Sequence, residues 1–211
     1  MRRSIIANNV IERGSPRYHF RMTELALRHA TYEDLLKVPD NLVAELIDGE
    51  LYTSPRPGRD HARTSSVLGA RLTPPFDIGD GGPGGWWIID EPELHLGRHA
   101  LVPDLGGWRR ERTPEYPNTS GCEVPPDWVC EVQSPGTARI DRVKKLPIYA
   151  EHAVQHIWLI DPATQTLEVL RLEEGRWVIA GNYGGDDVVR AEPFEAIELA
   201  LSALWIQPPA K

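Results

Sequence analysis

DWVCEVQSPGTARIDRVKKLPIYAEHAVQHIWLIDP, residues 127–162, holds the change of elements on which the fold turns. DWVCEVQ (127–133) is an apolar run of strand length, and HIWLID (156–161) is a second one of buried type. Between them the chain turns helical from Thr137 to about His152, with a bend at Pro147, which cannot donate a backbone hydrogen bond. Side chains alternate along a strand, so Val129, Glu131 and Gln133 share one face while Cys130 and Val132 point the other way. A glutamate in the middle of VCEVQ is out of the ordinary, because a buried carboxylate needs partners.

Upstream, VAELIDGELYTS (43–54) reads as a hairpin whose two arms flank Asp48-Gly49, a pair suited to the left-handed angles of a type I′ turn. Thr31 followed by Tyr32, Glu33 and Asp34 opens a short helix that stops near Pro39. Asp60–Leu72 has helical spacing and ends before Pro74-Pro75. GDGGPGG (79–85) is a loop without the lysine and hydroxyl of a phosphate-binding P-loop. Short strands follow at WWIID (86–90), ELHL (93–96) and ALVPDLGGW (100–108), then a polar, proline-rich connection over 109–126. Downstream, TLEVLRL and RWVIAGNY form a second hairpin around Glu174-Gly175, and LSALW is a short apolar helix. This order predicts a mixed sheet flanked by helices, an α/β (α+β) class.

At 211 residues the chain suits one domain, taken as 29–211, behind an extension over 1–28 in which Met22 is an alternative start. No apolar run approaches the roughly 18 residues of a membrane span, and the basic N-terminus lacks the apolar core of a signal peptide. Cys122 and Cys130 do not form a metal knuckle, and two free thiols fit a reducing cytoplasm. Net charge is 23 − 31 = −8. That counts against nonspecific coating of nucleic acid, whose affinity rests on neutralised phosphates, but not against a nuclease, whose metal site is itself acidic.

Asp104, after Pro103, and Glu131, in the next major apolar strand, would form a hard, oxygen-rich site suited to Mg²⁺ or Mn²⁺ if their strands adjoin. Read without further context, the same residues are ordinary strand-end acids. Asp141, Lys145 and Tyr149 lie at i, i+4 and i+8, roughly one helix face. They read either as a lysine steadied at a metal site or as an exposed ion pair beside a packed tyrosine. Trp108 beside Arg109, Arg110 and Arg112 is a candidate nucleic-acid contact or a solvated loop. Trp86, Trp87, Trp128, Trp158 and Trp177 fall in strands and read as core or sheet packing. The spacing of His152 and His156 does not make a zinc-protease motif, and a metal site at His95 and His99 is a minor reading.

VPDLGGW (102–108) and the long segment 127–162, together with the ELIDGEL hairpin and the EPELHL strand, resemble the restriction-endonuclease family known as Uma. The resemblance spans roughly residues 30–180. It implies a restriction-endonuclease-like core of the PD-(D/E)xK superfamily, with Asp104 and Glu131 as metal-binding acids and Glu45 as an accessory acid. The sequence departs from ExK at Gln133, which can hydrogen-bond a water or a phosphate but cannot act as a general base at neutral pH. The resemblance offers Lys145 as the replacement cation and His61 as a further contact to substrate or to an acid. The implied activity is metal-dependent cleavage of DNA phosphodiesters, with Mg²⁺ or Mn²⁺ as cofactor, DNA as partner and a homodimer as the assembly to consider. Two other classes stay open: a catalytically silent nucleic-acid binder, motivated by Gln133, and a protein-interaction module using the C-terminal hairpin arms.

Overall fold

The computed structural model describes residues 29–206; the expectations for 1–28 and for Met22 fall outside them. Helix α1 (Tyr32–Leu35) starts where the Thr31 backbone N–H donates to Asp34 Oδ2 at 3.1 Å, so the acid satisfies an amide with no partner inside the helix. Strands β1 (Leu42–Ile47) and β2 (Glu50–Pro55) pair antiparallel across Asp48 and Gly49, whose φ angles of 53° and 75° are both left-handed, as a type I′ turn requires. Helix α2 (Arg59–Leu72) ends at Leu72, before the prolines, as its sequence predicts, but the chain beyond it stays helical. It widens into a π-helical segment, Thr73–Ile78, that takes Pro74 and Pro75 in its opening turn, where a missing N–H costs least, and closes at Gly79.

Strands β3 (Trp86–Asp90), β4 (Leu94–Leu96), β5 (His99–Leu101) and β6 (Leu105–Arg109) follow. The stretch 100–108 is therefore two strands and not one. The chain leaves β5 in one sheet and enters β6 in another, and Val102, Pro103 and Asp104 make the crossing. Next come β7 (Trp128–Val132), a short helix α3 (Ala138–Ile140), a π-helical turn over Asp141–Lys145 and α4 (Leu146–Glu151). The helical stretch read from 137 to 152 is thus broken into three pieces. Pro147 stands in the first turn of the last one, where it needs no hydrogen-bond donor. Strands β8 (His156–Asp161), β9 (Thr166–Glu173) and β10 (Arg176–Gly184) complete the main sheet. The pair β11 (Val188–Val189) and β12 (Leu199–Ala200) leads to a single 3-10 turn, Leu201–Ala203, in place of the apolar helix.

Among the described residues the main sheet has the order β10-β9-β8-β7-β6-β3, and a four-stranded sheet has the order β2-β1-β5-β4. In the main sheet β7 and β8 are parallel and the other neighbours antiparallel. The intervening α3–α4 segment supplies the crossover that a parallel pair demands. Alternation along β7 divides the core as its sequence predicts. Trp128, Cys130 and Val132 pack with Leu68 and Leu72 of α2 and with Phe194, while Val129 packs with Ile148 and Tyr149 of α4. Phe194 sits among Phe76, Trp86, Trp128 and Trp158, with ring centroids 4.6 to 5.6 Å away, so these aromatics form an interior cluster. Glu131 is on the Val129 face, directly under α4.

Candidate active site

Five separate stretches of chain deliver side chains to one cavity of about 410 Å³. Glu45 comes from β1, where the Val102 backbone N–H donates to Glu45 Oε1 at 2.8 Å and so ties the hairpin to the strand crossing. Asp104 stands immediately before β6. Leu105 pairs with Cys130, which sets Asp104 beside the end of β7, and the Val132 N–H donates to Asp104 Oδ2 at 2.7 Å. Glu131 projects from the middle of β7 with 4% of its side chain exposed. Lys145, 5% exposed, reaches down from the π-helical turn, its Nζ 2.8 Å from Glu45 Oε1, 3.3 Å from Glu131 Oε1 and 3.4 Å from Asp141 Oδ1. The Tyr149 hydroxyl donates to Glu131 Oε1 at 2.7 Å. His61, near the start of α2, places Nε2 3.2 Å from the free oxygen of Asp104.

The electrostatics follow from crowding acids out of water. Burial pushes the Glu131 carboxyl well above its usual range; Lys145 pulls it back, and Asp141, Glu45 and Asp104 push it up again. Burial likewise raises Asp141, against the pull of Lys145. Burial alone would lower Lys145, but Glu131, Glu45 and Asp141 outweigh it and hold the ammonium well above its ordinary value. The Tyr149 hydroxyl is pushed well up by burial and then by the charge of Glu131, so it stays a donor. At His61 burial works downward, and the contact with Asp104 reverses it, leaving the imidazole raised. Glu45, Glu91, Asp104, Glu131 and Asp141 line the cavity against Arg56, Lys145 and the His61 imidazole. The cavity therefore has more carboxylates than internal cations to balance them.

Asp104, Glu131 and Glu45 offer the hard oxygen donors that Mg²⁺ or Mn²⁺ prefers, and the surplus of acids fits a divalent cation. Among the described residues no three His, Cys, Asp or Glu side chains grip an ion as they stand. Lys145 Nζ occupies the point between Glu45, Glu131 and Asp141. An ion held by Asp104, Glu131 and Glu45 would need that ammonium to shift.

Other residues singled out from the sequence lie elsewhere. Gln133 follows Glu131 on the same face of the chain but does not line the cavity. It is one pleat period farther along, where its N–H continues the ladder to Ile160 O at 2.7 Å, its Oε1 accepts from Arg142 at 3.3 Å and its Nε2 is buried without a partner. Arg109 and Arg110 do not reach the site. Arg109 is five residues along an extended strand from Asp104, about 16 Å. Its guanidinium lies over the Trp86 ring at 4.5 Å, and that of Arg110 lies over Trp87 at 3.8 Å while bonding Trp86 O and Asp77. Trp108 is fully buried, with its indole N–H donated to Val124 O, so it cannot stack on a base. His95 pairs with Glu93 and His99 Nδ1 accepts from the Asp48 N–H, both away from the cavity. Cys122 and Cys130 are buried free thiols.

Sequence reasoning missed the partner of Tyr149, which is Glu131 and not Lys145. It also missed the rim. Thr53 to Gly58 form one side of the mouth and Ser134, Gly136 and Thr137 another, with Arg56 as the rim cation. The Asp141, Lys145 and Tyr149 spacing was the available signal for the first; the second had none, since short polar loops carry no pattern.

The described residues thus form a mixed α+β fold with acids on adjoining strands at the centre of the main sheet and a lysine brought over them by the crossover segment. Residues 30–203 match the model of the Uma2 family, described as putative restriction endonucleases, and the chain belongs to that family. The fold is similar to the crystal structure of a putative nuclease belonging to DUF820 from Anabaena variabilis ATCC 29413. That likeness has a TM-score of 0.66 and 24% identity, over 82% of this chain and 96% of the other. No curated protein matches the chain. Among the described residues no helix is long and apolar enough to cross a membrane.

Proposed function

We propose that this protein is a divalent-metal-dependent endonuclease that hydrolyses phosphodiester bonds in DNA, using Mg²⁺ or Mn²⁺. One observation carries the reading: Glu45, Asp104, Glu131 and Lys145, from four stretches of chain, converge on one cavity. Asp104, Glu131 and Glu45 would hold the ion, which when bound supplies Lewis acidity toward the phosphate and a water of lowered pKa. The chain's own groups do the rest. Tyr149 fixes the rotamer of Glu131 through Oε1. The Val132 amide and His61 fix the two oxygens of Asp104. Lys145 carries the one ammonium deep enough to meet charge that develops on a phosphate. Gln133 is left out of the chemistry and serves the helix through Arg142, which also pairs with Glu168 at 2.7 Å.

A second reading, a nucleic-acid binder without turnover, has one observation in its favour: Lys145 is already paired with three carboxylates, an arrangement that needs no ion. Cleavage of plasmid and oligonucleotide DNA in Mn²⁺ or Mg²⁺, with Asp104→Ala beside the parent, separates the two. The nuclease reading expects metal-dependent nicking by the parent and none by the variant. Binding without nicking would leave only the silent binder.

A further inference from the structure

From the depth and lining of the cavity we infer that the substrate is single-stranded or locally unpaired DNA, and not intact duplex; the inference rests on the nuclease reading above. Three observations carry it. The reactive groups lie at the bottom of the cavity: Glu131, Lys145, Asp104 and His61 have side-chain exposures of 4%, 5%, 13% and 14%. A phosphodiester in a duplex sits on a stiff, convex backbone. It can meet such groups only in a cleft open enough to admit both strands. An unpaired nucleotide has free backbone torsions, so one phosphate can descend while its neighbours stay outside.

Charge points the same way. A protein that grips duplex by its backbone neutralises roughly six to ten phosphates. Here the cations lining the cavity are Arg56, His61 and Lys145, and each is committed. Arg56 donates to Asp40 O at 3.0 Å and pairs with Glu91 at 3.4 Å; His61 faces Asp104; Lys145 faces three acids. The basic cluster at Arg109, Arg110 and Arg112 is far along β6 and bound to Trp86, Asp77 and Asp127. Affinity must therefore come from somewhere other than tracking phosphates. The walls supply it: Val43, Val102, Pro55 and Pro57 place apolar surface beside the acids. Such surface can bury the apolar face of an unstacked base, which a duplex keeps to itself.

The test uses the full chain with Mn²⁺ and three labelled substrates: a single strand, the same strand annealed to its complement, and that duplex with a central unpaired bubble. Asp104→Asn runs in parallel, and anisotropy of the single strand and the duplex is read on metal-free protein. The expected result is cleavage of the single strand, and of the bubble within its unpaired segment, about tenfold or more faster than the paired duplex, the ratio that burying one base face against this apolar wall supplies. Tighter binding of the single strand accompanies it. Equal or faster cutting of paired duplex, abolished by Asp104→Asn, overturns the inference and leaves the nuclease reading standing. No cutting of any substrate beyond the Asp104→Asn background sinks that reading and this inference with it.

Discussion

Replacing Lys145 with methionine keeps the length of the side chain and removes its charge. The ammonium is 5% exposed and lies within 3.4 Å of carboxylate oxygens of Glu45, Glu131 and Asp141. Removing one partner of a buried ion pair costs about 3–5 kcal/mol, because the charges left behind have neither water nor a counter-ion. For a domain of this size each kcal/mol moves the melting midpoint by about 2–4 °C, so a drop of about 6–20 °C is expected at neutral pH. The penalty depends on pH, with a definite sign. Burial already raises the folded-state pKa of Glu131 above its unfolded value, and losing Lys145 raises it further. Such a group favours the fold when protonated. Its contribution is complete below the ordinary carboxylate range and is lost as pH rises toward the folded value. The gap between parent and Lys145→Met should therefore be smallest near pH 4–5, in the ordinary carboxylate range, and widen as pH rises. The assay is the melting midpoint across that range, with Glu131→Gln alone and combined with Lys145→Met. In the double variant one stranded charge is gone, and part of the loss should return. A midpoint for Lys145→Met that matches the parent at neutral pH would refute the reasoning, since the ammonium would then be carrying no buried charge.

Tyr149→Phe removes a donor to a charged, buried acceptor, worth about 1.5–3 kcal/mol, so chemical denaturation should show a loss of that order and cleavage should slow without a matching rise in KM; a stable variant with unchanged turnover would end its positioning role. Mn²⁺ at about a hundredfold excess over its Kd should stabilise the parent by about 2.7 kcal/mol, seen as a raised melting midpoint, and Asp104→Asn should blunt the shift; equal shifts would place the ion elsewhere. Gln133→Leu should leave cleavage intact and stability about level, because losing a buried amide nitrogen with no partner offsets losing the bond that Oε1 accepts from Arg142; loss of cleavage comparable to that of Lys145→Ala would return Gln133 to the chemistry. Arg110→Ala should lower the melting midpoint by a few degrees, through its lost bonds to Trp86 and Asp77, and leave DNA affinity unchanged as measured by anisotropy; an intact fold with weakened binding would restore it as a DNA contact.

Some of this molecule is written in short stretches of sequence, because the physics there is short-ranged. Asp48-Gly49 specifies its hairpin by tolerating positive φ at adjacent residues, and Gly175 does the same for one position of the second, a property of those residues and not of their surroundings. The alternation of WVCEV assigns each side chain to a face before any partner is known, since a strand has a period of two. The resemblance carried by VPDLGGW, the ELIDGEL hairpin and residues 127–162 pointed to the acids and the lysine that share one cavity. Nothing within 100–108 marks the change of sheets at Pro103, because that depends on which strands lie alongside. Asp104 reaches Glu131 only through the register of β6 against β7, and Glu45 joins them only because β1 pairs with β5. The basic run at 109–112 looks the same in one dimension whether its charges face DNA or fold back; Trp86, Trp87, Asp77 and Asp127, distant in sequence, made that choice. Gln133 and Glu131 share a face by sequence, yet the cavity wall passes between them, because Arg142 from the crossover segment closes over one and Lys145 over the other. Burial and pairing are properties of the assembled chain: they require atoms that only the tertiary fold brings within reach.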